Sequence, residues 1–310
     1  MIEYVAADEV SALGYAAAIE AIESALRDGL DPGADPPRTI TRVGTDGELF
    51  SMPSDGPHGV GVKLVTRAPR NAQANLPVIH AVYVLFDEQT LAPTLLLDGA
   101  ALTTLRTPAV SVAAVRPALA RFDEPPDVVV FGTGPQGVGH LHALCEVLRP
   151  ASATFVVRGS TDRRVAAPAG VGARVVATGS SDVVAALRRA DIVVCATTAR
   201  APLFDSALLG DAAVVLAVGA HEPDAREVDA AFCRRAQVVV EDVDNVRREG
   251  GDVVLAIRDG ALRPDQLLAM RDVVTGSVTF DADRPVLFKG TGMAWQDLVV
   301  ARAVTLRSRP

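Results

Sequence analysis

The run Val128-Val129-Val130-Phe131 enters Gly132-Thr133-Gly134-Pro135-Gln136-Gly137, and a helical pattern over Val138–Leu148 leaves it. A buried strand, a glycine-rich turn and a helix in that order admit few folds. Gly132 permits the tight turn, Gly134 lets a ligand approach the backbone, and Gly137 lets helix and strand pack closely. The helix N-terminus then offers unpaired N–H groups to phosphate. On its own the glycine spacing would be a weak signal, but both flanks are present. They point to a dinucleotide turn, against the competing reading of a glycine-rich turn with no ligand.

The surrounding pattern agrees. Val128–Phe131, Ala153–Val157, Arg174–Ala177, Ile192–Ala196, Ala213–Val218 and Val238–Val240 are short runs rich in Val and Ala. Most alternate with helical stretches such as Ser181–Arg189, which predicts a doubly wound parallel sheet. Strands buried on both faces suit a chain that is 49% hydrophobic yet only 4% aromatic. Upstream the pattern differs. A helical stretch over Ser11–Gly29 and the turn-rich Asp31–Pro37 precede Arg38–Val43, Glu48–Met52, Gly59–Thr66, Ile79–Phe86 and Pro93–Leu97. Each of these is bounded by turn residues, as antiparallel strands are. A helix follows from about Gly99 to Ala120, and the polar Arg121–Asp127, with two prolines, separates the two patterns. At 310 residues two domains are expected. The fold class is therefore α/β: a Rossmann doubly wound NAD(P)-binding domain over 122–287 and an α+β domain over 1–121.

Bulk properties narrow the partners. A net charge of −8 gives no whole-molecule attraction to nucleic acid or anionic lipid. Cys145, Cys195 and Cys233 are scattered, as in a reducing compartment. The N-terminus lacks a signal-peptide pattern, and no apolar run reaches the ~18 residues of a membrane span. A cytoplasmic protein with no nucleic-acid or membrane partner is expected. No metal site is expected either. His140 and His142 are two apart on a helix and face different sides, and His58 and His80 have no partner at ligand spacing.

The second strand decides between NAD and NADP. It ends Val157-Arg158-Gly159-Ser160-Thr161, with Arg163 and Arg164 beyond, where an NAD site usually has a carboxylate for the ribose 2′-hydroxyl. A guanidinium suits a 2′-phosphate instead, so NADPH is the preferred cofactor, with NADH possible. The alternative is a solvated arginine loop.

Gly61-Val62-Lys63, Asn75-Leu76-Pro77, Leu97-Asp98-Gly99 and Leu102-Thr103-Thr104-Leu105-Arg106-Thr107 resemble the ornithine cyclodeaminase/mu-crystallin family. So do the Gly132–Gly137 turn, Cys195-Ala196-Thr197-Thr198, Ala217-Val218-Gly219-Ala220, Pro223 with Arg226-Glu227, and Phe288-Lys289. The matches follow family order from about residue 40 to the C-terminus. The resemblance implies a homodimer built through the N-terminal domain, to which segment 288–310 returns, making 1–121 a substrate-binding and dimerisation domain. It also implies chemistry on α-amino or α-imino acids. Lys63 and Arg106 would hold the substrate carboxylate, with Arg42 assisting and Met52 in the substrate wall. Two cations on one carboxylate are chemically sound, since the planar Arg binds it bidentately. Without the resemblance, Lys63 reads as an outward-pointing lysine on an apolar strand. Thr197, Thr198 and Val218, at the ends of strands, would line the coenzyme beside Gly132, Gly134, Pro135, Gln136, Gly137, Arg158, Ser160 and Arg163, and Arg106 would touch it too.

One position departs from the family. Its cyclodeaminases carry an Asp after Val-Gly-x, where this chain has His221 in Val218-Gly219-Ala220-His221-Glu222-Pro223. Members described as ketimine reductases lack that Asp. The expected activity is therefore reduction of cyclic ketimines such as Δ1-pyrroline- or Δ1-piperideine-2-carboxylate, with His221 and Lys63 as catalytic candidates. A histidine with an ordinary pKa near ~6.5 can donate a proton to the product nitrogen, or it can simply cap a turn. Three alternatives stay open: an amino-acid or opine-type dehydrogenase, an ornithine or lysine cyclodeaminase with bound NAD, and a non-catalytic NADPH-binding crystallin-like protein. A second departure is Gly290 after Phe288-Lys289, where the family often has Ser.

Overall fold

A computed structural model describes residues 2–57, 59–74 and 76–308. His58 and Asn75, both named above, lie outside the described residues. Packing groups the chain up to Arg106 with the chain from Gly292 onward as one unit, and Thr107–Thr291 as the other.

The first unit is built on a six-stranded sheet: β1 (Glu3–Val5), β2 (Thr39–Val43), β3 (Gly47–Gly56), β4 (Gly59–Arg67), β5 (Ile79–Phe86) and β6 (Pro93–Asp98). The order is β1-β6-β5-β4-β3-β2, antiparallel except for β1 on β6. The helical stretch expected over Ser11–Gly29 forms as Tyr15–Arg27, and a short helix not anticipated, Ala7–Ser11, precedes it, with Gly14 between the two at φ +79°. Tyr15–Arg27 buries Ile19, Ile22 and Leu26, a stripe at helical spacing, and the C-terminal helix Ala294–Ser308 packs beside it and against β3, β4 and β5.

Cross-strand register places Met52, Lys63, Tyr83 and Leu97 in one row of this sheet, and Ser54, Gly61, Leu85 and Leu95 in the next row on the same face. Side chains alternate along a strand, so the intervening Val62, Val84 and Leu96 take the opposite face.

The second unit holds an all-parallel eight-stranded sheet of β7 (Asp127–Phe131), β8 (Ser152–Val157), β9 (Gly172–Ala177), β10 (Ile192–Cys195), β11 (Val214–Ala217), β12 (Gln237–Val240), β13 (Leu267–Ala269) and β14 (Val286–Lys289). Its order is β13-β12-β14-β11-β10-β7-β8-β9. The chain lays β8 and β9 to one side of β7, then crosses to lay β10 and β11 on the other. The reversal leaves a crevice between the carboxyl ends of β7 and β10, where open α/β sheets bind ligands. This is the doubly wound α/β fold anticipated from the alternating pattern. β13 and β14 were not anticipated, and β14 inserts between β11 and β12.

The polar stretch Arg121–Asp127 marks a change of secondary structure, whereas the boundary in packing falls earlier, within the helix Gly99–Leu119. Arg121 ties that stretch to the second unit by donating from Nη1 to the Arg284 carbonyl at 3.0 Å. The return to the first unit begins at Gly292, after β14. No helix is long and apolar enough to cross a membrane, and no His/Cys/Asp/Glu group suited to a metal ion occurs among the described residues.

Candidate active site

At the switch point, Gly132 follows β7 at φ +106°, and a Cβ there would lie 2.6 Å from the Ala196 carbonyl at the end of β10. A Cβ on Gly137 would lie 2.2 Å from the Gly132 carbonyl. Those two glycines are fixed by contact with protein. Gly134 is different: it caps the helix Pro135–Cys145 at an ordinary φ of −73°, and a Cβ there would meet nothing within 4 Å. No protein atom occupies the space a side chain at Gly134 would take, so the backbone there is open to a ligand. Proline at the first helical position leaves the following N–H groups free of competition from the turn. Arg158, Ser160 and Arg163 follow β8 and are all exposed, with no carboxylate at position 158. These residues fit a dinucleotide with its pyrophosphate on the helix N-terminus.

The ends of β10 and β11 hold a network that sequence reasoning left unassigned. Glu227 is fully buried. Its Oε1 accepts from Thr197 N at 2.9 Å and Thr197 Oγ1 at 2.7 Å, and its Oε2 accepts from Gly219 N at 2.7 Å and Ala220 N at 3.3 Å. Asp252 in turn accepts from the N–H groups of Glu227 and Val228 at 2.7 and 2.8 Å and lies 2.9 Å from Lys289 Nζ. Lys289 also donates to the Ala220 carbonyl. Burial raises the Glu227 carboxyl above its usual range, with Lys289 opposing. Thr197 thus spends its hydroxyl on Glu227, while Thr198 is exposed and Val218 half-buried at the same strand ends. His221 follows directly, exposed, with Nδ1 3.4 Å from the Gly219 carbonyl. The residues Arg226-Glu227 and Phe288-Lys289 had been visible as motif matches, but nothing in a single sequence pairs a lysine with an aspartate 37 positions away (289 minus 252).

The first unit gathers its own cluster on the Lys63 face of the sheet. Lys63 is 2% exposed and donates from Nζ to Asp297 Oδ2 at 2.7 Å and to Thr103 Oγ1 at 3.3 Å. Arg106 Nε lies 3.3 Å from Asp297 Oδ1, and its Nη1 donates to Gln296 Oε1 at 2.7 Å. Asp297 therefore sits between the two cations expected to hold a carboxylate. Burial lowers the Lys63 ammonium to about 8; Asp297 resists that shift, and Arg106 and Arg38 add to it. Met52 is buried opposite Lys63 in register.

Arg42 occupies a different place. It is exposed on edge strand β2, opposite Glu48. Arg38, just before that strand, is the arginine whose charge acts on Lys63, and its Nη2 donates to the Gly292 carbonyl at 3.0 Å. Gly292, at φ +82°, lies under Arg106: a Cβ would come 2.7 Å from Nη2. Sequence reasoning also missed Asp35, Tyr83 and Trp295. The Asp35 carboxyl accepts from Ser54 Oγ at 2.8 Å and is raised to about 6, chiefly by burial. Asp35 Oδ2, the Tyr83 hydroxyl, Trp295 Nε1 and Asp297 Oδ1 are buried without a hydrogen-bond partner. The cluster carries three cations, Lys63, Arg106 and Arg38, and two carboxyls, Asp297 and Asp35, an excess of one positive charge when all are ionised.

Comparison with known proteins bears on both units. The model of the ornithine cyclodeaminase/mu-crystallin family matches residues 4–309. The Δ1-pyrroline-2-carboxylate/Δ1-piperideine-2-carboxylate reductase of Azospirillum brasilense is 32% identical over 299 residues, 96% of this chain and 93% of that protein. The ketimine reductase mu-crystallin of Mus musculus is 29% identical, covering 92% and 90%. Among solved structures, the Thermococcus litoralis Δ1-pyrroline-2-carboxylate reductase in complex with NADH and L-proline superimposes with a TM-score of 0.84 at 25% identity, covering 99% of this chain and 97% of that one.

Proposed function

Because the chain belongs to the ornithine cyclodeaminase/mu-crystallin family, we propose that it is an NAD(P)H-dependent oxidoreductase that reduces the C=N bond of cyclic ketimine carboxylates, Δ1-pyrroline-2-carboxylate and Δ1-piperideine-2-carboxylate, to proline and pipecolate. The observation that carries this reading is the buried Lys63–Asp297–Arg106 arrangement, which offers two cations and one compensating carboxylate to a single incoming carboxylate.

When bound, the coenzyme supplies the hydride for the imine carbon. The protein holds the substrate and manages the proton. Arg106 and Lys63 bind the carboxylate, and fixing one end of a small planar ring orients its C=N bond, a contribution from positioning. Met52 and the apolar row beside it exclude water from the ring. Reduction of a neutral imine needs one proton on nitrogen. Lys63, lowered to about 8, can deliver it near neutral pH, and His221 is the second candidate. A histidine at position 221 is a poor counter-charge for a substrate side-chain ammonium, which speaks against cyclodeamination. Arg158, Ser160 and Arg163 favour NADPH over NADH.

The same reading includes a homodimer through the first unit's sheet. Val62, Val84 and Leu96 adjoin across β4, β5 and β6 on the face opposite Lys63, flanked by Val60, Leu64 and Val82. All six are partly exposed, whereas the C-terminal helix covers the Lys63 face. A contiguous apolar patch of this kind marks an interface. Sedimentation at two loading concentrations, with Val84→Lys as the monomerising control, tests it.

The activity is tested by loss of NADPH absorbance with Δ1-piperideine-2-carboxylate, with NADH in parallel. Consumption that requires the preformed ring supports the reading. Consumption only with pyruvate and ammonia would replace it with an open-chain dehydrogenase.

A further inference from the structure

Glu227 uses one carboxylate oxygen for each of two turns. Oε1 takes both the N–H and the hydroxyl of Thr197, in the turn after β10, and Oε2 takes the N–H groups of Gly219 and Ala220, in the turn after β11. The turns are in direct contact, since a Cβ on Gly219 would lie 2.0 Å from the Thr197 carbonyl. Thr197 in turn borders the glycine turn: its Cγ2 lies 3.7 Å from where a Gly132 Cβ would stand. The second turn is also held from its carbonyl side, because Lys289 donates to Ala220 O while pairing with Asp252. Asp252 closes the chain by binding the N–H of Glu227 itself.

We infer that Glu227 is a positioning residue for the dinucleotide, a buried staple that fixes the floor of the coenzyme crevice, and that Lys289 and Asp252 hold the staple in place. The inference rests on the coenzyme reading above. Two turns at neighbouring strand ends have no ladder to hold them, so their spacing is set by what binds their polar groups. A carboxylate accepts at both oxygens. A glutamine of the same shape accepts at only one and turns an NH2 toward the donors of the other turn. That change releases either Thr197 or the Gly219–Ala220 segment, and the latter is the backbone mount of His221.

The test titrates NADPH by its fluorescence into full-length wild type, Glu227→Gln, Thr197→Val and Thr197→Ser, with melting temperatures and amide exchange measured without coenzyme. Glu227→Gln is expected to weaken NADPH by about tenfold or more, the size of one lost charge-assisted contact. The Gly219 and Ala220 amides should lose protection before any coenzyme is added. Thr197→Val keeps the shape and removes two hydrogen bonds, the one given to Glu227 and the one accepted from Ala199 N, so it should weaken binding severalfold, and Thr197→Ser, which keeps the hydroxyl, should weaken it less. A purely structural role would lower the melting temperature while the folded variants still bound NADPH as wild type does. Should Glu227→Gln fail to fold, the Thr197 pair decides. Affinities within twofold of wild type in the folded Gln and Val variants overturn the inference alone. A wild type that binds neither NADPH nor NADH removes the coenzyme reading and this inference together.

Discussion

Lys63 and Asp297 stand 234 positions apart in the chain and meet at 2.7 Å, with both side chains out of solvent. The C-terminal helix thereby supplies the counter-charge for a lysine on the central sheet, and the same carboxylate reaches toward Arg106. Asp297→Asn would leave two buried cations without their partner. Removing one member of a buried pair costs about 3–5 kcal/mol, so the urea midpoint should fall clearly. The KM for the imino acid should rise, because Lys63 and Arg106 lose their spacing, while NADPH binding stays unchanged. An Asn variant as stable as wild type with an unaltered KM would show that Asp297 orders neither cation.

The ammonium of Lys63 titrates at about 8, well below an ordinary lysine, because burial penalises the charged form. Only the charged form attracts a carboxylate or carries a proton to nitrogen. We expect kcat/KM for Δ1-pyrroline-2-carboxylate to fall as pH rises through that value, with KM rising as the carboxylate loses its partner and kcat falling as the proton is lost. Lys63→Arg, charged throughout the range, should shift the alkaline limb upward even if its activity is low. An unmoved limb assigns the titration to another group.

These two predictions concern residues that the sequence disclosed unequally. Lys63 and Arg106 were legible because their motifs resemble a family, yet Asp297 was not, since the contact that explains it crosses from the last helix to β4. Arg42 and Arg38 show the limit of carrying a role over by resemblance. Both lie in an Arg-x-x-x-Arg stretch, yet Arg38, before β2, acts on Lys63 while Arg42 stands exposed on the edge strand. Six of the eight strands of the parallel sheet were legible because those runs are flanked by turn residues. β14 was missed because its place between β11 and β12 is a long-range pairing that no local pattern encodes. Glu227 and Lys289 were seen as motif and left without a role, because a buried charge reveals its purpose only through its partners.

Arg158 stands exposed at the end of β8, where a ribose 2′-substituent would lie. Arg158→Ala should weaken NADPH by about tenfold, one charge-assisted contact, and leave NADH nearly unchanged. The wild-type preference should also fade with added salt, as an exposed charge contact does. Equal losses for both coenzymes would place Arg158 outside the 2′-phosphate site.

His140 is fully buried in the helix after the glycine turn, between the Gln136 carbonyl at 2.7 Å and Ser111 Oγ at 2.9 Å. Burial lowers it to about 4. The unfolded chain takes up this proton near pH ~6.5 and the folded chain only near 4, so acid favours unfolding across that interval. The loss should be complete below the folded value and on the order of 3 kcal/mol. Asp35 acts in the opposite sense, since its carboxyl is raised to about 6 and the folded state binds its proton first. Urea midpoints at pH 8 and pH 5 should therefore be compared between wild type and His140→Gln. The variant should lose much of the difference, and an unchanged difference would remove His140 from the acid sensitivity.

Gly134 and Gly137 differ in what the protein itself demands of them. A Cβ on Gly137 would collide with the Gly132 carbonyl at 2.2 Å, whereas one on Gly134 would meet no protein atom within 4 Å, at a φ any residue adopts. Gly137→Ala must push the helix from the strand, and overpacking of that kind costs about 1–3 kcal/mol or more. Gly134→Ala puts a poor capping residue at the helix N-cap, a cost of about 1 kcal/mol that stiffening of the unfolded chain partly offsets, so the melting temperature should fall only slightly. The new methyl would nevertheless stand where the pyrophosphate approaches the backbone, so NADPH and NADH should both weaken by at least about tenfold. Calorimetry on the coenzyme-free proteins, followed by titration, gives both numbers from one preparation. Undiminished coenzyme binding in a stable Gly134→Ala variant would mean that the phosphates do not rest on this turn.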